Sequence, residues 1–394
     1  MVWGRSALGQ VNVGWARVVQ FVLVIAVMLV GVDLARAEPT YHALVSPVPA
    51  AELADISDQY RDLPRYESVT KALAAAPKTG RYRVAIWPGE YYEKITIQRD
   101  NVSLQGITTD GVLPRIYFDA YAGMAGKYHR DDWGTPGSAT LTINATGVQV
   151  HNLHIENSFD FLANDGLDKS DPKKLSHSQA VALLLDVDSD RTLITDSVID
   201  GYQDTVFSDG GRSYFYKTRI SGNVDFIFGD GFAVFDQCEI VSRRRAKAFS
   251  AGDIQGHLTA PSTNINQPYG LVFIDSTLVR EEGVLENSVS LGRPWHPTTT
   301  FPDGRYADPE AIGSAIYIDT WMDSHIHKEG WASMGGTARD GTKSRVFTPE
   351  ESRFFEAGSR GPGDNTHPSR QRLTDVEVRA LKDFIAGFKK ELTQ

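Results

Sequence analysis

Hydrophobic and polar positions between about residues 80 and 345 follow a short recurring pattern, in which a polar residue stands three positions before an aliphatic one. The six examples are Asn101 to Leu104, Asn152 to Ile155, Asp196 to Ile199, Lys217 to Ile220, Gln237 to Ile240 and Asp275 to Leu278. The aliphatic residues of the last five lie 44, 21, 20 and 38 positions apart, close to multiples of about 20. Short runs rich in Val, Ile, Phe and Thr at such a period predict coils of a parallel β-helix. A two-sheet sandwich also has short strands, but it would not set this period.

Helical periodicity occurs at the two ends of this region. Residues Arg65 to Ala76 predict a short helix that covers the N-terminal coil. Thr374 and Glu377 form a capping box for a second helix, which we expect to pack along the solenoid. The apolar positions of the two helices are Val69, Ala72, Leu73, Ala76, Val378, Leu381, Ile385 and Phe388. We therefore predict one all-β domain over residues 38–394, with short capping helices at both ends.

The first 37 residues are typical of a secretory signal peptide. Arg5 and Arg17 precede an apolar run from Val18 to Val32, and Ala35 to Ala37 has small residues where a signal peptidase cuts. We expect cleavage before Glu38 and export to the periplasm or the medium. A membrane anchor is the alternative, but about 15 apolar residues are fewer than the roughly 20 that cross a bilayer.

Charge and cysteine content narrow the function classes. Removing residues 1–37 takes away three arginines and one aspartate, so the formal net charge moves from −10 to −12. An acidic protein is a poor partner for nucleic acid, and it repels a polyanion more than it repels a neutral or esterified polymer. The single cysteine, Cys238, cannot form an internal disulfide and is expected to be a small buried residue. We expect a monomer with no nucleic-acid partner and, after signal cleavage, no membrane partner.

Asp204 and Asp225 lie 21 residues apart, which is one repeat of the predicted solenoid. They would stack on neighbouring coils at about 4.8 Å, the spacing of paired strands. Two carboxylates so close do not both ionise readily, so the pair divides into a proton-carrying acid and an ionised carboxylate. Such a pair is suited to hydrolysis. A turn aspartate with a purely structural role is the alternative for either residue taken alone.

Five motifs around this pair resemble the pectin methylesterases, carbohydrate esterases that demethylate galacturonan. They are Gly89–Glu93 (GEYYE), Gln179–Leu183 (QAVAL), Gly201–Thr205 (GYQDT), Gly222–Gly229 (GNVDFIFG) and Leu291–Trp295 (LGRPW). The resemblance runs from about residue 60 to the C-terminal helix and implies a right-handed parallel β-helix. The lack of cysteine pairs and the insert Asn164 to Ser176 resemble the bacterial branch of the family.

The resemblance also implies roles. Asp225 is then the nucleophile that attacks the C6 carbonyl to form an acyl-enzyme anhydride, and Asp204 is first the acid for methanol and later the base for water. Arg293 resembles the partner that keeps Asp225 ionised. Gln179 and Gln203 resemble amide donors to the oxyanion, although a glutamine that only binds backbone is an alternative for Gln179. Neighbouring residues of a regular strand face opposite sides, so Gln203 and Asp204 both reach a groove only at a corner or a bulge.

Sugar rings present apolar faces that aromatic side chains can cover. Phe228 and Trp295 are the candidates for this role. By resemblance, the substrate groove is also lined by Thr135, Gln179, Arg245, Arg293, Thr298 and Met334. For Arg245 the alternative is a solvated charge run, Ser242 to Lys247. Tyr91 and Glu93 are expected to support a turn of the first coils, away from the site.

The predicted partner is methyl-esterified homogalacturonan, and we expect neither a metal nor another cofactor, because the ten histidines show no metal-ligand spacing. A serine esterase is disfavoured, since the sequence has no Gly-x-Ser-x-Gly motif. Three alternatives remain open. The first is another β-helix pectinase, either a cation-dependent lyase or a glycoside hydrolase. The others are an esterase for a different ester and a carbohydrate-binding β-helix without catalysis.

Overall fold

Each turn of the chain contributes strands to three long parallel sheets, and the coils stack to form the predicted parallel β-helix. This architecture comes from a computed structural model, which describes residues 40–48, 58–124 and 134–392. Thr40–Gln394 form one compact unit. The expected signal peptide lies outside the described residues. No helix among the described residues is long and apolar enough to cross a membrane.

The three sheets contain eleven, eight and seven strands, which follow one another in space in the order below. The first sheet comprises Arg65–Tyr66, Ala43–Val45, Tyr82–Ile86, Val102–Gly106, Gln149–His151, Thr192–Thr195, Arg212–Tyr216, Phe232–Asp236, Leu271–Ile274, Ser314–Ile318 and Arg353–Ala357. The second sheet comprises Trp321–Met322, Thr277–Arg280, Glu239–Ser242, Arg219–Gly222, Val198–Asp200, His154–Asn157, Arg115–Phe118 and Glu90–Tyr92. The third sheet comprises Val289–Gly292, Gly256–Pro261, Val224–Gly229, Val206–Ser208, Leu183–Leu185, Leu141–Ile143 and Ile95–Ile97.

Two antiparallel hairpins and several short helices project from these coils. The hairpins pair Thr298–Phe301 with Gly304–Ala307 and Met334–Gly336 with Arg345–Phe347. The described helices are Asp58–Arg61, Val69–Ala74, Gly134–Gly137, Phe161–Asp165 and Asp375–Leu392, and Pro349–Glu351 forms a 3-10 turn. The helix Phe161–Asp165 lies at the start of the expected insert.

The polar residues of the sequence pattern occupy the corners between sheets. All six have a left-handed backbone: Asn101, Asn152, Asp196, Lys217, Gln237 and Asp275 have φ between 49° and 58°. The last five lie between the first and second sheets, whereas Asn101 turns the chain from the third sheet into the first. A left-handed backbone disfavours β-branched and bulky residues, and Asn and Asp tolerate it best among residues with a side chain. The recurring polar position is therefore a requirement of the corner.

The last five aliphatic residues of the pattern belong to a ladder inside the solenoid, whereas Leu104 lies on the first sheet. Parallel pairing in register places each one beside its counterpart one coil away, in the series Ile155, Ile199, Ile220, Ile240, Leu278 and Met322. On the first sheet, an aromatic series does the same, with ring centroids 4.5–4.7 Å apart: Phe215, Phe235, Phe273 and Tyr317. All of these side chains are buried. Cys238 is buried in the same core, as expected.

The N-terminal helix is shorter than predicted, because Arg65 and Tyr66 pair with Ala43–Val45 as a strand. The helix itself spans Val69–Ala74, with Ser68 as its N-cap. The carboxylate of Glu93 accepts hydrogen bonds from the backbone N–H groups of Val69 and Thr70 at 2.8 and 2.9 Å. Glu93 therefore supports the first coils, as expected.

The C-terminal helix is confirmed, and it covers the outer face of the first sheet. The Glu377 carboxylate accepts a hydrogen bond from the Thr374 backbone at 2.8 Å, and the Glu377 backbone N–H donates to the Thr374 hydroxyl at 3.4 Å, which completes the predicted capping box. Leu381, Ile385 and Phe388 are buried against apolar side chains of the first sheet. The C-terminal helix thereby covers this face of the solenoid.

The corner geometry generates a stability prediction at Asp275, whose side chain is exposed and whose φ is 49°. Asp275→Val should lower the free energy of unfolding by about 1–3 kcal/mol, because a β-branched residue is strained in the left-handed region. Asp275→Gly should have little effect, since relief of strain offsets the larger entropy of the unfolded chain. Denaturant unfolding of both variants measures the difference. Equal stability of the two variants would contradict this explanation of the polar pattern.

Candidate active site

The expected acid, nucleophile and glutamines lie where successive coils enter the third sheet. The backbone N–H of Ala180 donates to the carbonyl of Gln203 at 3.1 Å, and that of Asp204 donates to the carbonyl of Val224 at 3.1 Å. These bonds fix three neighbouring coils in register, so Gln179, Gln203 and Asp225 are brought to one edge of the sheet.

Both aspartates have a left-handed backbone, with φ of 65° at Asp204 and 50° at Asp225. The pairing of Val224–Gly229 with the next strand also shifts register between Val224 and Ile227. A strand with regular alternation would turn Gln203 and Asp204 to opposite sides. The left-handed corner at Asp204 interrupts that alternation for Gln203 and Asp204, and the register shift lies beside Asp225 on the next coil.

Asp225 is held by Arg293 through two hydrogen bonds. Arg293 Nε and Nη2 donate to the two carboxylate oxygens at 2.8 and 2.6 Å. Burial alone would lower the pKa of Arg293, but the charge and hydrogen bonds of Asp225 outweigh burial and raise it. This bidentate contact orients the Asp225 carboxylate. Arg293 lies one coil after the strand Gly256–Pro261, and its backbone N–H donates to the carbonyl of Thr259 at 3.0 Å.

Asp204 is in the opposite electrostatic situation. Burial and, second, the negative charge of Asp225 raise the pKa of Asp204 well above its usual range. The positive charge of Arg293 and a side-chain hydrogen bond with Gln203 act against that rise. Asp204 therefore keeps its proton under conditions in which an ordinary aspartate has lost it. The site therefore places a buried carboxyl group with a raised pKa beside a carboxylate that Arg293 orients, and the predicted roles of acid and nucleophile stay predictions here.

The two glutamines differ in their contacts. Gln203 is tied to Asp204, whereas the side-chain oxygen of Gln179 is buried without a hydrogen-bond partner among the described residues. Gln179 is also linked to the rest of the fold through its backbone carbonyl, which accepts from Ala122 at 2.8 Å. Neutral amide groups at this edge can donate to a negative oxygen without adding a charge beside the aspartates.

Aromatic rings cover the third sheet next to the aspartates. Phe228 stacks on Phe207 with centroids 4.2 Å apart, and Trp295 meets both rings edge-on at 5.6 and 6.1 Å. The sequence analysis did not include Phe207 among the candidate residues, although its spacing from Asp204 identifies it as the counterpart of Phe228 one coil earlier. It stands three residues after Asp204, just as Phe228 stands three residues after Asp225. Phe207 and Phe228 are each only 4% exposed, whereas Trp295 is half-buried, so Trp295 presents most of the apolar area that could cover the C–H face of a sugar.

The other expected groove residues lie on separate excursions of the chain. Thr135 lies in the one-turn helix Gly134–Gly137. Thr298 and Met334 lie on the two hairpins, where the Thr298 hydroxyl bonds that of Thr337 at 2.9 Å. All three residues are half-buried. Their placement in the groove therefore stays a prediction.

Arg245 is not the solvated surface residue that the local charge run allowed. Its side chain is 14% exposed, and it makes a bidentate ion pair with Asp165, whose side chain is 3% exposed. The two bonds, from Nε and Nη2, measure 3.0 and 2.6 Å. The partner lies 80 residues earlier in the chain, inside the insert.

His257 is a second residue that sequence reasoning missed. It pairs with Val224, next to Asp225, and its Nδ1 lies 2.7 Å from the Ser290 hydroxyl. Burial, followed by the charge of Arg293, lowers the pKa of His257 to about 4. The imidazole is therefore neutral near pH 7 and leaves the charge of the Asp225–Arg293 pair undisturbed. A single histidine in a strand offered no signal for this position.

The other histidines that the structure describes are not grouped as metal ligands. Within the described ranges, no group of three or more His, Cys, Asp or Glu side chains is placed to hold a metal ion. His325 is buried and its Nε2 lies 3.0 Å from the Ser242 hydroxyl, while His177 is exposed. The groups that meet at the site are two carboxyls, a guanidinium and amides.

Comparison with known proteins gives a consistent result. The pectinesterase family model matches residues 61–374. Pectinesterase A of Dickeya dadantii is 44% identical over 356 residues, which cover 89% of this chain and 92% of that protein. The structure of a pectin methylesterase from Erwinia chrysanthemi superimposes with a TM-score of 0.78 at 43% identity, covering 86% of this chain and 95% of the other. The structure of a pectin methylesterase in complex with a hexasaccharide matches with the same TM-score, identity and coverage. The chain belongs to the pectinesterase family.

Proposed function

We propose that this enzyme hydrolyses the C6 methyl esters of galacturonan, releasing methanol and leaving free carboxylates on the polymer. The observation that carries the proposal is the unequal pair of aspartates, with Asp225 held by Arg293 and Asp204 buried beside it with a raised pKa. The names of the relatives, pectinesterase and pectin methylesterase, support the same substrate.

In the proposed first step, an oxygen of the Asp225 carboxylate attacks the C6 carbonyl carbon. The carbonyl oxygen becomes negative and accepts hydrogen bonds from the amides of Gln179 and Gln203. The bond from C6 to the methoxy oxygen then breaks, and Asp204 gives its proton to that oxygen, so methanol leaves. Asp225 and the sugar carboxyl are now joined as an anhydride.

In the second step, Asp204 is ionised and acts as the base. It takes a proton from a water molecule, and the hydroxide oxygen attacks the anhydride. The bond to Asp225 breaks, which regenerates the Asp225 carboxylate and releases the sugar carboxylic acid. Arg293 stabilises Asp225 as the leaving carboxylate. Asp204 has regained its proton, and the site is ready for another ester.

Substrate binding is assigned to the aromatic surface. Trp295 provides most of the contact with the apolar face of the sugar, Phe228 adds the small part of its ring that is exposed, and buried Phe207 supports both rings from the adjacent coil. The remaining groove residues of the proposal are Thr135, Gln179, Arg245, Arg293, Thr298 and Met334. We propose no metal and no organic cofactor, because each step uses groups that this chain supplies.

Cleavage of a glycosidic bond fits this geometry less well. Glycoside hydrolases place two carboxyl groups on opposite sides of the bond, with room for the sugar or a water between them. Here Arg293 binds both oxygens of Asp225, and Asp204 is on the adjacent coil. A lyase would need a cation held by clustered acids.

Methanol release from highly methylated pectin tests the function. We expect release to continue in the presence of a chelator, and we expect no chain cleavage of methylated or demethylated pectin. Asp225→Asn and Asp204→Asn should each reduce methanol release by at least about 10²-fold, since they remove the nucleophile and the proton carrier.

Asp275→Asn is the matched control for these variants, because Asp275 has the same left-handed backbone and an exposed side chain away from the third sheet. It should retain the parental rate. Methanol release by a folded Asp225→Asn protein at the parental rate would reject the mechanism. Absence of release by the parental protein, with binding to pectin retained, would favour a different ester or a carbohydrate-binding role.

The pH dependence of kcat tests the role of Asp204. The rate should fall as pH rises through the raised pKa of Asp204, because the proton donor for methanol is lost. The charge of Arg293 lowers this pKa, so Arg293→Gln should move the basic limb to higher pH while reducing the maximum rate. Enzyme-free blanks at each pH correct for hydroxide-driven ester hydrolysis. A basic limb that stays in place or moves to lower pH in Arg293→Gln would contradict the assignment.

We further infer that the enzyme is exported as a monomer after removal of residues 1–37, as their charged start and apolar run suggest. Expression in a bacterial host should give mature protein that begins at Glu38 outside the cytoplasm, as measured by mass spectrometry and fractionation. Leu23→Arg, which interrupts the apolar run, should keep the protein in the cytoplasm at full length. Mature protein that still carries residues 1–37 would overturn this inference.

A further inference from the structure

One wall beside the two aspartates is assembled from three distant parts of the chain. The helix Phe161–Asp165 leads into the insert, Tyr202 directly precedes Gln203 and Asp204, and Arg243 and Arg245 follow the strand Glu239–Ser242. We name these residues, Phe161, Asp165, Tyr202, Arg243 and Arg245, the arginine–aromatic wall.

The wall is a stack in which two aromatic rings lie between two guanidinium groups. Arg243 lies 3.8 Å over the Tyr202 ring, and Tyr202 stacks on Phe161 with centroids 5.3 Å apart and planes 11° apart. The guanidinium carbon of Arg245 lies 5.5 Å from the centroid of the Phe161 ring. Because Tyr202 is covalently next to the Gln203–Asp204 corner, the stack braces that corner from one side.

Asp165 fixes the outer end of this stack. Its buried carboxylate accepts two hydrogen bonds from Arg245 and two more from the backbone N–H groups of Ala246 and Lys247, at 3.0 and 3.4 Å. Burial alone would raise the pKa of Asp165, but Arg245 outweighs burial and holds it below the usual range. A buried carboxylate with this many donors stays ionised and fixes the groups that donate to it.

Asp165 also limits what Arg245 can do. Arg245 Nη1 donates to the carbonyl of Gln255 at 3.1 Å, so three of its five N–H groups have partners among the described residues. The guanidinium is therefore held in one plane and can offer substrate only its remaining N–H groups. Without Asp165, Arg245 would carry an unpaired charge on a flexible side chain, and the segment that follows it would lose its anchor.

We propose that Asp165 is a positioning residue for the ester substrate, which acts through Arg245 and the arginine–aromatic wall and sets how tightly the polymer is held beside the aspartates. The inference rests on the proposed function, because it needs a galacturonan chain in the groove. The insert thereby gains a defined role, since its Asp165 orders a wall whose residues Tyr202, Arg243 and Arg245 lie on later coils. Asp165 does not touch the reacting atoms, so its removal should affect binding more than the chemical step.

Steady-state methanol release by Asp165→Asn tests this proposal. We expect KM for highly methylated pectin to rise about tenfold while kcat stays within about threefold of the parental value, the pattern of a lost binding interaction. Asp165→Glu, which keeps the charge, should recover part of the parental KM. Arg245→Lys keeps the positive charge but loses the bidentate contact, and it should raise KM in the same direction.

The double variant Asp165→Asn/Arg245→Gln separates positioning from general damage. If the two residues act as one unit, the rise in KM should be smaller than the product of the single effects. Asp190→Asn is the matched control, because Asp190 makes a bidentate pair with Arg212 at 2.8 and 2.7 Å near the C-terminal helix. It should lower the unfolding midpoint and leave KM unchanged.

An unchanged KM in folded Asp165→Asn, or a rise in KM that Asp190→Asn also shows, would overturn the inference. If Asp165→Asn does not fold, Arg245→Lys carries the test, and a parental KM in that variant would overturn the inference equally. The proposed function fails in a distinguishable way. In that case the parental protein itself releases no methanol, whereas failure of this inference leaves parental release intact.

Discussion

Parallel pairing of each strand with the strand one coil away governs the rest of this molecule. It places every residue beside its counterpart in the next repeat at about 4.8 Å. Inside the solenoid, this produces the aliphatic ladder and the stacked rings of Phe215, Phe235, Phe273 and Tyr317, for which close contact between like side chains is favourable. At the edge of the third sheet, the same rule brings Asp204 beside Asp225, and there close contact between like side chains is costly.

The cost is relieved by making the two aspartates unequal. Arg293 reaches Asp225 and binds both of its oxygens, while Asp204 is left buried with its pKa raised. His257 stays neutral beside them, and the glutamines supply polar groups without charge. The arrangement contains one cation for two carboxyl groups, so one proton is retained, and a retained proton is what an ester-cleaving site requires for its leaving group.

Much of the fold could be predicted because its rules are local. The polar corner residues follow from a left-handed backbone, and the period of about 20 follows from the length of a coil. The start of the N-terminal helix was predicted too early, because Arg65 and Tyr66 join a sheet through a partner strand, Ala43–Val45, that lies well before them in the chain. Helical spacing in a short segment does not exclude such tertiary pairing.

Residues of the site could be predicted where they lie in recognisable motifs or at positions equivalent to a known site residue on the next coil. Asp204, Asp225 and Arg293 stand in recognisable segments, and the structure brings them together. Phe207 follows from the coil register once that register is known. The roles of Asp165 and His257 could not be predicted from the sequence. Asp165 pairs with Arg245, which lies 80 residues away, and the pKa of His257 is lowered by burial, which only the folded chain produces.

The bidentate contact of Arg293 with only one of two equivalent aspartates also gives the site a direction. Asp204 and Asp225 have the same side chain and the same left-handed corner, and they differ in which coil the guanidinium reaches. Under the proposed mechanism, the carbonyl carbon of the ester must face Asp225 and its methoxy oxygen must face Asp204. The ester group then has a single orientation along the solenoid axis. A polymer with chemically distinct ends satisfies that orientation in only one of its two directions along the groove. The contact of Arg293 with Asp225 alone therefore sets the direction in which the polymer binds.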